Sequence, residues 1–169
     1  GALDWMGVAH LLGIKGSVDS LSSIGPKIPM LRPEQIFFFA NGNMTHFEKS
    51  IIEENNIRQA TIEEVAADPA GAARMIKQTW AAQFERLLIH LDADVLNFTE
   101  MPLAENNRRN IGLTFEQLME ALQELLMAPN FSVLTITEIN PDHGAEDGST
   151  LKRFSERLAQ VISVGLNSI

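Results

Sequence analysis

Cysteine is absent from this chain of 169 residues. Disulfides, thiolate metal sites and a cysteine nucleophile are therefore excluded. No apolar run approaches the length of a membrane span. No basic stretch followed by an apolar core opens the chain, so no signal peptide is legible and the cytoplasm is the expected compartment. Three Asn-x-Ser/Thr matches, at Asn43, Asn97 and Asn130, then read as chance. Glycine-rich phosphate loops and a Gly-x-Ser-x-Gly nucleophile turn are also missing. Bases are few: 13 against 22 acids, a net charge of -9. That balance argues against a nucleic-acid backbone as partner and suits a cationic one. No repeat, low-complexity tract or linker interrupts the chain.

What is present is ordinary for a globular protein, with 45% hydrophobic and 21% charged residues. The length suggests one domain able to bury a real core. The chain opens Gly1-Ala2-Leu3-Asp4 and enters a helical pattern almost at once, which is expected of a piece of a longer or processed polypeptide.

Periodicity predicts a helix over 3–13, a loop over 17–33 and a strand at Ile36–Phe39, apolar enough to be buried on both faces. Thr45 and Glu48 have capping-box spacing before a helix over 46–55. A short strand at Ile57–Ala60 precedes a second box, Thr61 and Glu64, and a helix over 69–83. A strand over 86–92 follows, then a polar stretch over 95–113, too long for a plain connection and so a candidate functional loop. Thr114 caps a helix over 115–127; Val133–Ile139 reads as a strand, 140–149 as a loop, and Thr150 opens the last helix. Apolar strands alternating with helices predict an α/β fold, a mainly parallel sheet covered on both faces. Ligands bind such sheets at the carboxyl ends of the strands.

Chemistry gathers at those ends. His90, Asp92 and Asp94 alternate along one strand end and so share a side. Neighbouring carboxylates repel, and a divalent cation such as Mn²⁺ offsets that repulsion. A pair that caps backbone amides is the competing explanation for an isolated Asp-x-Asp. Glu138, before Asn140-Pro141, could accept hydrogen bonds from a guanidinium group, although a lone glutamate is more often simply solvated. His10 and His46 read as packed or surface histidines, His143 as part of a solvated acidic turn, and Arg108-Arg109 as a surface or subunit contact.

Taken in order, these segments resemble the arginase/agmatinase (ureohydrolase) family. His90-Leu91-Asp92-Ala93-Asp94 is similar to the family's Asp-x-Asp strand, and Ile111-Gly112-Leu113-Thr114 to its Gly-Gly-Leu-Thr segment. Thr137-Glu138-Ile139-Asn140-Pro141 is similar to its Glu-Val-Asn-Pro segment. Leu31-Arg32-Pro33 ahead of an apolar strand follows the family's course, and Gly1–Leu12 resembles the segment around its His-Gly-Met-Pro turn. The resemblance implies a three-layer αβα domain over 1–169, the latter part of that fold and incomplete at its amino end. It implies two Mn²⁺ ions and hydrolysis of a small cationic guanidino substrate, with urea released, in a homo-oligomer with no nucleic-acid or membrane partner. Asp92 and Asp94 would be metal ligands and Glu138 the guanidinium-binding residue, with His90 and Asp4 as accessory candidates.

The departures are specific. The family's Gly-Gly-Asp-His and Asp-Ala-His-x-Asp segments are absent and by family order would precede Gly1. His90 stands where a serine is usual, and Asn97 where a third aspartate is. Asp4 matches the place of a proton-shuttle histidine, and Thr45 that of a substrate-binding aspartate. A non-catalytic regulatory or scaffolding relative is therefore the second hypothesis. A third, an unrelated domain holding Mg²⁺ and a phosphorylated ligand, lacks a phosphate loop.

Overall fold

A computed structural model describes residues 6–42, 44–107 and 110–167. The chain forms two compact units: Gly1–Phe38 with Asn43–Gln59, and Phe39–Gly42 with Ala60–Ile169.

The first unit holds helix α1 (Gly7–Leu12), a short helix α2 (Asp19–Ser22) inside the expected loop, and helix α3 (His46–Glu54). Gly13 ends α1 in the left-handed conformation, φ 61°, the usual role of glycine past a helix. Thr45 accepts the Glu48 N–H, and Glu48 returns a bond from the Thr45 N–H, so the first capping box forms. Leu12, Ile36, Ile52 and Ile57 make the core, flanked by Val8, Ile14, Leu31, Phe38 and Met44. Strands β1 (Phe37–Asn41) and β2 (Arg58–Thr61) form a two-stranded sheet. The three phenylalanines of β1 are each half-buried, not enclosed on both faces as the apolar run suggests.

In the second unit, the Thr61 box opens a short helix α4 (Ile62–Ala67). Asp68 then accepts the Gly71 N–H and restarts the chain as α5 (Pro69–Thr79). Proline has no N–H to lose at a first helical position, so the break falls there. Helix α5 ends sooner than its pattern suggests, in a 3-10 turn at Ala81–Gln83. It packs on α6 (Phe115–Leu126), which packs in turn on α7 (Ser149–Leu166). Arg74 and Lys77 of α5 both reach Glu124 of α6, and their hydrogen bonds hold its carboxyl below the usual range.

Strands β3 (Leu87–Asp92) and β4 (Phe131–Thr137) pair in parallel, with Ile89 opposite Leu134, Leu91 opposite Ile136 and Asp92 opposite Thr137. Paired residues share a face. The face bearing Ile89, Leu91, Leu134 and Ile136 is turned inward, each of them buried or half-buried. On the other face, near the amino ends of the two strands, Leu88 is 66% and Val133 41% exposed. An apolar run records that a strand suits burial, not which face has a neighbour.

Gly112 marks a close approach. Leu96 and Leu113 form an isolated parallel bridge, with Asn97 N–H donating to Leu113 C=O and Leu113 N–H to Val95 C=O, both at 2.9 Å. A Cβ on Gly112 would stand 2.6 Å from the Leu96 carbonyl carbon and the Val95 oxygen. Backbone cannot step aside as a flexible side chain can. Gly112→Ala is therefore expected to cost about 2 kcal/mol or more of stability, the scale of an overpacked site. Urea denaturation checks this; an unchanged midpoint would show that the bridge is not formed in solution.

Candidate active site at the carboxyl ends of β3 and β4

Because β3 and β4 are parallel and in register, their carboxyl ends lie together. Asp92 is the last residue of β3, and Glu138 directly follows Thr137, the register partner of Asp92. Asp94 lies two residues beyond, in the 3-10 turn Ala93–Val95. The structure thus sets all three carboxylate-bearing residues at one end of one strand pair.

Each is anchored differently. The exposed Asp92 accepts the Asp94 N–H on Oδ1 at 2.9 Å and so caps the turn that carries Asp94. Asp94, half-buried, accepts the Asn106 N–H on Oδ1 at 3.3 Å. The amide-capping explanation is therefore realised for both aspartates. Glu138 lies outside β4, which runs over 131–137 and not to Ile139 as its pattern suggests. Its φ is +59°, in the left-handed region. That costs a side-chain-bearing residue roughly 1–2 kcal/mol and needs outside support.

The support comes from the long loop, which is no loose connection. Met101, Leu103 and Ala104 are buried at 0–1% exposure and anchor it. Ala104 forms an antiparallel bridge with Ile139. Glu105 N–H donates to Glu138 C=O at 2.9 Å, and Asn140 N–H to Leu103 C=O at 2.7 Å. The Asn140 side-chain amide donates to Glu105 Oε2 at 2.7 Å, while its Oδ1 accepts the Asp142 N–H at 3.0 Å. His143 Nδ1 lies 2.8 Å from Ala104 C=O, and its ring meets Phe98 edge-on with centroids 5.6 Å apart. His143 is thus a strut of the site, not a residue of a solvated turn.

His90 shares a sheet face with Asp92 but is occupied sideways. Its Nδ1 lies 2.8 Å from Thr135 Oγ1 and its Nε2 3.2 Å from Thr137 Oγ1. Thr45 serves as a helix cap, and His10 is buried with Nδ1 bonded to Met6 C=O at 2.7 Å. Asp4 and Arg108-Arg109 lie outside the described residues. Glu105 is the member that sequence reasoning missed, and only the length of the loop hinted at it; Asn140 was quoted within the segment around Glu138 but given no role of its own.

The donor chemistry at this end fits a hard divalent cation, since carboxylate oxygens suit Mn²⁺ and Mg²⁺. The number does not: among the described residues no three His, Cys, Asp or Glu side chains are grouped to hold an ion. These residues alone form at most part of a metal centre.

The turn at Asp92 separates structural from metal roles. Asp92→Asn keeps the Oδ1 acceptor and should hold wild-type stability within about 0.5 kcal/mol, while Asp92→Ala should lose about 1 kcal/mol, one hydrogen bond's net worth. Thermal or urea unfolding of both variants reads this. Equal losses would mean that the capping bond contributes nothing in solution.

Neither a family model nor a curated protein matches the sequence. Solved structures do match. Arginase from Bacillus subtilis superposes with a TM-score of 0.79 at 17% identity, over 92% of this chain and 52% of that one. Arginase from Bacillus caldovelox gives 0.79 at 20% identity, over 94% and 51%. Formimidoylglutamase from Bacillus subtilis gives 0.67 at 17%, over 81% and 43%. The chain spans about half the length of the arginases it matches. At this level of identity the likeness speaks for the fold alone, and the fold is that of the arginases: α/β, with parallel strands whose carboxyl ends carry Asp92, Asp94 and Glu138.

Proposed function

We propose that this chain is the later part of one arginase-like domain belonging to a metal-dependent hydrolase of the ureohydrolase type. The observation that carries the reading is the shared position of Asp92, Asp94 and Glu138 at one end of a parallel strand pair in an arginase fold. Asp92 and Asp94 supply oxygen donors for Mn²⁺, and Glu138 faces the guanidino or amidino group of a small cationic substrate. The chemistry that such ions supply, when bound, is activation of water for attack at the guanidino carbon with release of urea or a related product. The remaining donors come from outside the described residues, so no catalytic step is derived from this chain alone. The net charge of -9 draws a cationic substrate toward the protein. A homo-oligomer in the cytoplasm, without nucleic-acid or membrane partners, completes the reading. Among the described residues no helix is long and apolar enough to cross a membrane.

One observation favours a second reading. Both aspartates already accept backbone N–H groups, which is what a non-catalytic regulatory or scaffolding relative with a degenerate metal site would retain.

Two measurements test these readings, and the second separates them. Residues 1–169 alone should release no urea or ammonia from arginine, agmatine, guanidinobutyrate or guanidine with added Mn²⁺, because two aspartates do not complete a two-metal site. Robust turnover would overturn that. The same chain should still bind Mn²⁺ weakly, seen as loss of the free-ion electron paramagnetic resonance signal. Asp92→Ala and Asp94→Ala should each remove most of this binding, and Glu138→Gln should leave it intact. If Glu138→Gln strips the ion equally, Glu138 is a ligand and the guanidinium role fails. If the wild-type chain binds no Mn²⁺, the scaffolding reading is the better account.

A further inference from the structure

The long loop is the feature that the proposed function does not yet use. Its Glu105 touches the segment after β4 at two points on either side of Ile139. The Glu105 N–H donates to the Glu138 carbonyl, and its carboxylate accepts the Asn140 side-chain amide at 2.7 Å. The neighbouring Ala104 bridges Ile139 between them, and Asn106 N–H reaches Asp94 Oδ1. Three consecutive loop residues therefore span from the end of β3 to the turn after β4.

We propose that Glu105 is a positioning residue for Glu138: by gripping Asn140 it fixes the turn that presents the Glu138 carboxylate to a guanidinium-bearing substrate. The inference rests on the cation-binding reading given above and adds its specificity element. The Asn140 amide is used at both ends, Nδ2 to Glu105 and Oδ1 to the Asp142 N–H, so its plane cannot turn without losing a bond. Without the Glu105 acceptor, a left-handed residue such as Glu138 loses one of the contacts opposing its return to an extended conformation. Its carboxylate then leaves the direction set by that left-handed turn. Glu105 acts through Asn140 and need not touch the substrate.

The test is a titration of residues 1–169 with agmatine, followed by amide chemical shifts. The wild-type chain should show saturable shifts near β3, β4 and the loop, and Glu138→Gln should abolish them. Glu105→Ala should weaken binding by about tenfold, the scale of one charge-assisted hydrogen bond. Glu105→Gln keeps a carbonyl acceptor for Asn140 and should bind within about threefold of wild type, because a neutral acceptor retains part of that bond. Asn140→Ala should weaken binding as Glu105→Ala does, and the double variant should be no worse than either, as for residues acting as one unit. If Glu105→Ala proves too unstable to titrate, Asn140→Ala against wild type carries the same test, and binding within twofold of wild type overturns the proposal. Binding by Glu105→Ala within twofold of wild type, with Glu138→Gln still showing no saturable shift, overturns the role of Glu105 and leaves the cation site. Loss in Glu105→Gln as deep as in Glu105→Ala makes Glu105 a direct contact and overturns positioning. Unchanged binding in Glu138→Gln, or no saturable shift in wild type, sinks the cation reading itself.

Discussion

The parallel register of β3 on β4 is the constraint on which the site depends. Side chains alternate with a period of two, so a slip of one residue would move Asp92 to the opposite face and part it from Thr137. Register is well specified where one face is apolar and buried. Here Ile89, Leu91, Leu134 and Ile136 supply that face. The polar face then follows: His90 lies between the Thr135 and Thr137 hydroxyls, and Asp92 reaches the rim. Core packing on one side of the sheet thus sets the chemistry on the other.

The loop between β3 and α6 converts a shared strand end into a defined arrangement. Gly112 lets its far end return against Val95 and Leu96, closing it at the base. Met101, Leu103 and Ala104 bury its middle. Only then can Glu105, Asn106 and their backbone reach both Asp94 and the Glu138–Asn140 turn. A loop fixed at its base, middle and tip offsets the cost of the left-handed Glu138, which β4 by itself would not impose.

What was legible in the sequence was local. The Thr45 and Thr61 capping boxes both form and Thr114 caps α6 as expected, because donor and acceptor lie three residues apart whatever the rest of the chain does. The alternation of Asp92 and the apolar run of β3 placed that aspartate correctly at a strand end. The end of β4 was misplaced by two residues because Glu138-Ile139 continues an extended-looking pattern; its left-handed turn is imposed by contacts from more than thirty positions away. Glu105 was not legible for the same reason: an Ala-Glu-Asn tripeptide has no periodicity, and its meaning lies in the distant Asn140. The Phe37–Phe39 run showed the remaining limit, since hydrophobicity measures a capacity for burial and not the presence of a neighbour.

The aspartates show why structural and metal-binding accounts need not compete. An ionised carboxylate offers two oxygens and about four lone-pair sites. The Asp94 N–H occupies one such site on Asp92 Oδ1 and leaves the carboxylate's charge in place. The same bond orients the plane of the carboxylate, which is what a supporting hydrogen bond does for a metal ligand. A chain that gave up metal chemistry could keep this turn with asparagine, which preserves the acceptor and removes the charge. Asp92 carries a carboxylate where an amide oxygen would make the same cap. The second oxygen of Asp92 is the one that the cation proposed above would use, with the capping bond left in place.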